Sequence, residues 1–269
     1  MKNHNSSSSP LAVITGASQG IGLELAKLFA KNNFNLLIIS DTNEIELAAE
    51  TLRNLGAQVE TLKLDLTDMN NVEKVKEKIL KMNQPINSLV LNAGLGISGE
   101  FVHTDWQQEL CCIQLNVISL TYLTKILLPI FLQQGYGRIL FTSSILSESP
   151  GPYFAIYSAS KAFVHSFAGA IRYELKNTEI TVTSFQPGAT DTEFFDKAEL
   201  QNSLNGKFPK DDPAQVAEDG FNALMSGKAN VIAGSLKSKL IGVGTKVLPN
   251  RVMAVVQGKL LNPFFKDEK

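Results

Sequence analysis

Apolar runs of about five residues alternate with amphipathic segments along most of the chain, the pattern of strands exchanging with helices. Strands are predicted at 11–15, 36–40, 59–64, 88–91, 138–142, 181–185 and 230–233, the first of these without a polar residue before Thr15. Helices are predicted from the glycine-rich turn after Thr15 to about Lys31, and over 44–55, 71–82, 105–134, 153–176 and 213–226. Gly56, Gly135 with Gly137, and Pro187-Gly188 punctuate these elements, because glycine and proline end regular structure. Continuous apolar strands separated by helices fold into a parallel sheet covered on both faces, so the expected class is α/β. With right-handed crossovers this becomes a doubly wound, Rossmann-like sheet of about seven strands.

No internal repeat or Pro/Gly-rich linker divides the chain, so one catalytic domain is expected over 11–233. Residues 1–10 are polar and serine-rich and read as a disordered tail, without the apolar run of a secretory signal. The most apolar short run, 126–132, falls well under the ~20 residues that span a bilayer, so no integral membrane segment is expected. The stretch 234–269 differs from the rest. It mixes Lys237, Lys239, Lys246, Arg251 and Lys259 with Leu, Val and Met, and reads as a helical extension packing on the body or on a partner subunit, with a weak membrane-surface contact as the other reading.

Composition narrows function mainly by exclusion. A formal net charge of −1 supplies no field to attract nucleic acid. The only cysteines, Cys111 and Cys112, are adjacent and unsuited to bridging each other, which fits a reducing, cytoplasmic setting. Those two and the scattered His4, His103 and His165 make no metal site, and no G-x-S-x-G elbow is present for hydrolase chemistry.

Two local patterns carry chemistry. The first strand ends in Thr15-Gly16-Ala17-Ser18-Gln19-Gly20-Ile21-Gly22 and enters a helix directly. Glycines there permit a tight turn and let backbone N–H groups at a helix start approach a pyrophosphate. A glycine triplet alone is a weak signal; one that closes the first strand of a βαβ unit is much stronger. The second pattern is Tyr157 and Lys161, four residues apart and so on one helical face. A free phenol titrates near ~10, and a neighbouring ammonium favours its phenolate, giving a group able to take or give a proton. Tyr157 also follows a predicted strand end, where open α/β sheets bind ligands.

Taken with Leu64-Asp65-Leu66, Asn92-Ala93-Gly94, Asn116, Ser144, Ser158-Ala159-Ser160 and Pro187-Gly188, these patterns resemble the short-chain dehydrogenase/reductase family in its single-domain branch. The glycine spacing G-x-x-x-G-x-G, rather than G-x-x-G-x-x-G, separates the chain from the larger sugar-nucleotide branch. The resemblance implies an NAD(P)(H)-dependent oxidoreductase acting on a small carbonyl or alcohol, with Ser144, Tyr157, Lys161 and Asn116 as catalytic residues. Ser144 precedes Tyr157 by thirteen residues, the family spacing, and its neighbour Ser143 is the competitor. Lys161 would also bind the nicotinamide ribose, and Asn116 would help hold a proton-relaying water.

The implied cofactor contacts are Gly16, Ser18, Gln19, Gly20, Ile21, Gly22, Asp65, Leu66, Asn92, Ala93, Gly94, Tyr157, Lys161, Pro187, Gly188 and Thr192, with Ser40 and Asp41 at the adenosine ribose. An acid at that corner favours a free 2′-hydroxyl, and no Lys or Arg lies in 15–22 or 40–50, so NAD(H) is preferred. The loops 145–155 and 189–208, carrying Ile145, Leu146, Tyr153, Phe154, Phe194, Phe195, Leu200 and Phe208, predict an apolar substrate pocket for a hydrophobic ketone, aldehyde or secondary alcohol. The resemblance further implies a homodimer or homotetramer formed through the helices at 105–134 and 153–176. The rival readings are a cofactor-binding sensor or scaffold without chemistry, which the intact Ser144–Tyr157–Lys161 set opposes, and a dehydratase or epimerase on the same fold.

Overall fold

The computed structural model describes residues 9–264, so the expected tail over 1–10 lies almost entirely outside the described residues. Seven parallel strands form one sheet: β1 (Leu11–Thr15), β2 (Asn35–Ser40), β3 (Val59–Lys63), β4 (Ile86–Leu91), β5 (Tyr136–Thr142), β6 (Glu179–Pro187) and β7 (Asn230–Ala233). Their order across the sheet is β3-β2-β1-β4-β5-β6-β7. The chain thus builds outward from β1 to β3, returns to place β4 beside β1, and builds outward the other way. That reversal opens a crevice beyond the carboxyl ends of β1 and β4.

Period-two alternation explains how both faces become core. Ala12 and Ile14 of β1, with Leu36 and Ile38 of β2, face one layer, while Leu11, Val13, Leu37 and Ile39 face the other. The first layer holds α1 (Gly20–Lys31) and α2 (Ile45–Asn54), and the second holds α3 (Met69–Met82). Phe29 of α1 is fully buried with Phe34 at 4.9 Å and Phe221 at 5.0 Å, both edge-on, so truncating it to alanine would cost ~3–5 kcal/mol.

The expected single helix over 105–134 is instead three pieces end to end: α4 (Trp106–Ile113), a π-helical turn (Gln114–Ser119) and α5 (Leu120–Gln134). Gly135, in the left-handed region at φ 83°, closes α5. Together they make a rod of 29 residues that is long and apolar enough to cross a membrane by length and composition alone, longer than the 126–132 run suggested. Its Leu120, Leu123, Leu127 and Phe131 lie in the core, so the apolarity has a packing use.

A 3₁₀ turn (Ile145–Glu148) follows β5, and α6 (Ala155–Glu174) starts two residues later than expected, after Tyr153 in the left-handed region at φ 61°. Beyond β6 come two short helices, α7 (Phe194–Lys197) and α8 (Leu204–Lys207), then α9 (Pro213–Met225), which packs in the α1 layer. The stretch after β7 folds into α10 (Leu236–Val247) and α11 (Asn250–Leu261). Leu261 joins Leu146, Phe154, Tyr157, Phe195 and Leu200 in a third apolar cluster.

Candidate active site

The crevice is a cavity of about 550 Å³ whose floor is the β1–β4 reversal. At its head, Gly16 adopts φ 66°, and a Cβ there would stand 2.8 Å from the Ala93 Cα. A Cβ on Gly22 would stand 2.0 Å from the Gly16 carbonyl oxygen, so the turn closes only with glycine at both points. The helix it opens, α1, has no side-chain cap on its first N–H groups and no acidic residue in its first turn. Unpaired N–H groups with a positive dipole end and no competing carboxylate suit an anion.

Thr15, which reasoning from the sequence treated only as part of the turn, locks this end of the sheet. Its hydroxyl oxygen accepts from the Asn92 N–H (3.0 Å) and the Ala93 N–H (3.1 Å). Asn92 in turn donates from Nδ2 to the Gly16 carbonyl (3.2 Å). The loop after β4 is therefore tied to the glycine turn.

At the corner expected to meet the adenosine, the Ser40 hydroxyl pairs with that of Ser18 at 2.9 Å and reaches the Asp41 carboxylate at 3.4 Å. The tertiary fold brings cations that local sequence could not show. Lys63, at the end of β3, donates to Asn43, and Lys197 of α7 pairs with Glu193 at 3.3 Å. Both lysines, after hydrogen bonding by Thr42 and its own backbone, help hold the Glu44 carboxyl below its ordinary value. Asp65 lines the cavity, but one of its oxygens is already taken by the Thr67 N–H and hydroxyl, both at 2.8 Å.

Every residue proposed from sequence for cofactor contact lines this one cavity: Gly16, Ser18, Gln19, Gly20, Ile21, Gly22, Ser40, Asp41, Asp65, Leu66, Asn92, Ala93, Gly94, Tyr157, Lys161, Pro187, Gly188 and Thr192. Ser144 and Ser143 line it too. The two differ in orientation: Ser143 donates its hydroxyl to the Lys161 carbonyl at 2.8 Å, whereas the Ser144 hydroxyl accepts from the Leu146 N–H at 3.2 Å and stands beside the Tyr157 phenol.

Tyr157 and Lys161 are both buried. Burial dominates their acidity: it pushes the phenol well above its ordinary value despite the Ser144 hydrogen bond, and pulls the Lys161 ammonium down to about 8. This corrects the expectation that Lys161 acidifies the phenol in the protein alone. The Lys161 amine lies 5.6 Å from the Tyr157 ring centre and donates to the Thr142 carbonyl at 2.9 Å.

Asn116 does not line the cavity; it lies fully buried behind it in the π-helical turn. Its Oδ1 accepts from the Leu95 N–H, and its Nδ2 donates to the Leu95 carbonyl and the Ser160 hydroxyl, all at 2.9 Å. The side chain thus fastens the loop after β4 to α6. Cys112 packs beside it, its thiol pushed up to about 11 by burial. His165 lies elsewhere, bonded to Ser184 at 2.8 Å and Glu148 at 3.1 Å.

The far wall is apolar: Ile145, Leu146, Phe154, Phe194, Phe195 and Leu200 line it, with Phe154 stacked on Tyr157 at 4.3 Å. Tyr153 and Phe208 do not take part as expected. Tyr153 borders a neighbouring groove, and Phe208 is exposed beneath the Lys237 amine, 4.6 Å from its ring centre. In their place Lys237, Ser238, Ile241, Gln257, Leu260 and Leu261 from α10 and α11 close the cavity. The only sequence signal for these was the helical spacing of apolar residues in the tail, which does not say what they face.

The family model for short chain dehydrogenase matches residues 10–203. An uncharacterised oxidoreductase of Bacillus subtilis is 32% identical over 237 residues, covering 84% of this chain and 96% of its own. A sulfoacetaldehyde reductase of Chromohalobacter salexigens is 32% identical over 193 residues, 69% and 75% of the two chains. Among solved structures, a short-chain dehydrogenase from Sphingobium yanoikuyae in complex with NADPH superposes with TM-score 0.77 at 26% identity, over 97% of each chain. One from Burkholderia phymatum in complex with NAD shares the fold at TM-score 0.81 and 20% identity, over 94% of this chain and 96% of its own.

Proposed function

Because the chain belongs to the short-chain dehydrogenase/reductase family and is an oxidoreductase, we propose that Tyr157 is its general acid and base and that its substrate is an apolar ketone, aldehyde or secondary alcohol. The observation that carries this reading is the meeting of Ser144, Tyr157 and Lys161 in one cavity, set where the glycine-lined crevice meets the apolar wall. A nicotinamide dinucleotide, when bound, supplies or accepts the hydride. The uncapped start of α1 and the glycine cradle fit its pyrophosphate, and Asn92, Ala93, Gly94, Pro187, Gly188 and Thr192 border the space left for the rest.

Tyr157 then gives its phenolic proton to a carbonyl oxygen in reduction, or takes the alcohol proton in oxidation. Ser144 holds that same oxygen and stabilises the charge that develops on it. A phenol raised by burial stays protonated at neutral pH and is ready to act as the acid when a carbonyl is reduced. Lys161, buried and pulled down to about 8, holds its proton below that pH and aligns the ribose side of the site.

NAD(H) is the cofactor this corner prefers. Asp41 and Ser40 face the ribose position, and the two lysines nearby are engaged by Asn43 and Glu193. Exposed Ile118, Leu132, Phe163 and Tyr173 on the π turn, α5 and α6 supply an apolar face for a homodimer.

The test is nucleotide oxidation with NADH or NADPH and a panel of apolar and charged carbonyls, comparing the protein with Tyr157→Phe. Turnover should fall by about 10²–10⁴ in the variant with nucleotide binding retained. If the unaltered protein binds nucleotide and turns over none of the carbonyls, a non-catalytic sensor is the better reading; if only charged carbonyls react, the apolar pocket assignment fails.

A further inference from the structure

The charge of the chain is split by position. Residues 1–219 carry 17 Lys and Arg against 24 Asp and Glu, whereas residues 220–269 carry 8 against 2, and no Asp or Glu occurs between 220 and 266. A nearly neutral protein is thus an acidic body with a basic end. Within that end α10 and α11 have two unlike faces. Their inner faces close the cavity and bury Ser238, Gln257 and Leu261.

The outer faces are unusually apolar. Leu236 (80% exposed), Leu240 (73%) and Val243 make one row along α10, and Val252, Val255 (60%) and Val256 make another along α11. Leu248 between the helices and Phe264 after them are exposed as well. The α11 row continues across a groove in which Val255 and Lys259 face Phe101, with Glu100 the one acidic residue on the groove wall. Val102 and Trp106, beyond Phe101, are also exposed. Lys239 is paired with Asp219 at 3.0 Å, while Arg251 and Lys259 have no acidic partner among the described residues.

From this juxtaposition of bare apolar rows and unpaired basic charge on the outer faces of two helices, we propose that α10 and α11 dock the protein on a bilayer surface containing anionic lipid. Such a surface offers both complements at once: negative headgroups for Arg251 and Lys259, and an acyl boundary for the leucine and valine rows. A two-fold contact with a second copy through this face would set the same basic patch against itself. The docking itself requires no turnover, so it stands or falls separately from the proposed reaction.

The experiment is sedimentation of the full-length protein with vesicles of phosphatidylcholine alone or mixed with phosphatidylglycerol. Binding should require phosphatidylglycerol and weaken as salt is raised. Arg251→Gln with Lys259→Gln should bind about 30-fold more weakly, at ~1 kcal/mol per basic residue near an anionic surface. Val255→Asp should lose binding too, and both variants should keep the parent's unfolding midpoint. No binding, or equal binding to neutral vesicles, overturns the proposal. So does an oligomer in solution that Val255→Asp dissociates, which would mean that a second copy covers the face.

Discussion

Replacing Asn116 by alanine separates positioning from chemistry in this site. Three hydrogen bonds at 2.9 Å would go, but the losses are unequal. The Ser160 hydroxyl still donates to the Tyr157 carbonyl at 2.7 Å, and the Leu95 carbonyl still accepts from the Cys112 thiol at 3.2 Å. The group left with nothing is the Leu95 N–H. One orphaned donor costs about 1–3 kcal/mol and each of the other two bonds about 0.5–1 kcal/mol, so the expected loss is about 3 kcal/mol. In a chain of this size that lowers the melting midpoint by about 5–10 °C. Urea unfolding of Asn116→Ala beside Tyr157→Phe gives the comparison: the first should lose stability and, through a loosened loop after β4, nucleotide affinity. The second should keep both and lose turnover. An Asn116→Ala protein as stable as the parent, yet inactive, would refute the positioning role and return Asn116 to the chemistry.

Three further outcomes follow from the same geometry. Gly22→Ala forces a Cβ to within 2.0 Å of the Gly16 carbonyl oxygen and 2.6 Å of the Asn92 amide nitrogen, so NADH affinity measured by fluorescence should fall at least about tenfold, and an unchanged affinity would count against the turn as the pyrophosphate cradle. For Lys161, the folded protein holds its proton less tightly than the unfolded chain, so between about pH 8 and ~10 the unfolded state carries more protons and stability rises with pH. That rise, at most ~3 kcal/mol, should vanish in Lys161→Met; above pH ~10 the raised Tyr157 acts with the opposite sign, which sets the upper end of the window. Asp41→Arg should shift the ratio of kcat/KM for NADH over NADPH by at least about tenfold toward NADPH, and an unmoved ratio would place the ribose elsewhere.

What was legible in the sequence was what depends on near neighbours. The glycine turn is set by residues within eight positions, and Tyr157 and Lys161 share a face because they are four apart; both patterns end at the cavity they implied. What was not legible depends on partners far along the chain. Leu261 meets Leu146 across more than a hundred residues, so helical spacing in the tail showed a face without saying that it closes the pocket. Lys63 and Lys197 come near Glu44 from β3 and α7, outside any window drawn around Ser40. Asn116 was expected from the family resemblance to help hold a water, and its hydrogen bonds to Leu95 and Ser160 could not be foreseen because those partners lie 21 and 44 residues away. The direction of the Tyr157 shift was misjudged for a related reason: spacing shows the neighbouring charge, but desolvation needs the packed surroundings, and here it wins.

The π turn between α4 and α5 does not interrupt the inward stripe of the long rod. Glu109 and Cys112 of α4, Asn116 of the turn, and Leu120, Leu123, Leu127 and Phe131 of α5 are all buried, at steps of three and four residues. A wider turn takes up one residue more than its neighbours do without turning the helix beyond it away from the core. The rod therefore presents one side inward from α4 to the end of α5, and the amide that ties the loop after β4 sits on that same side.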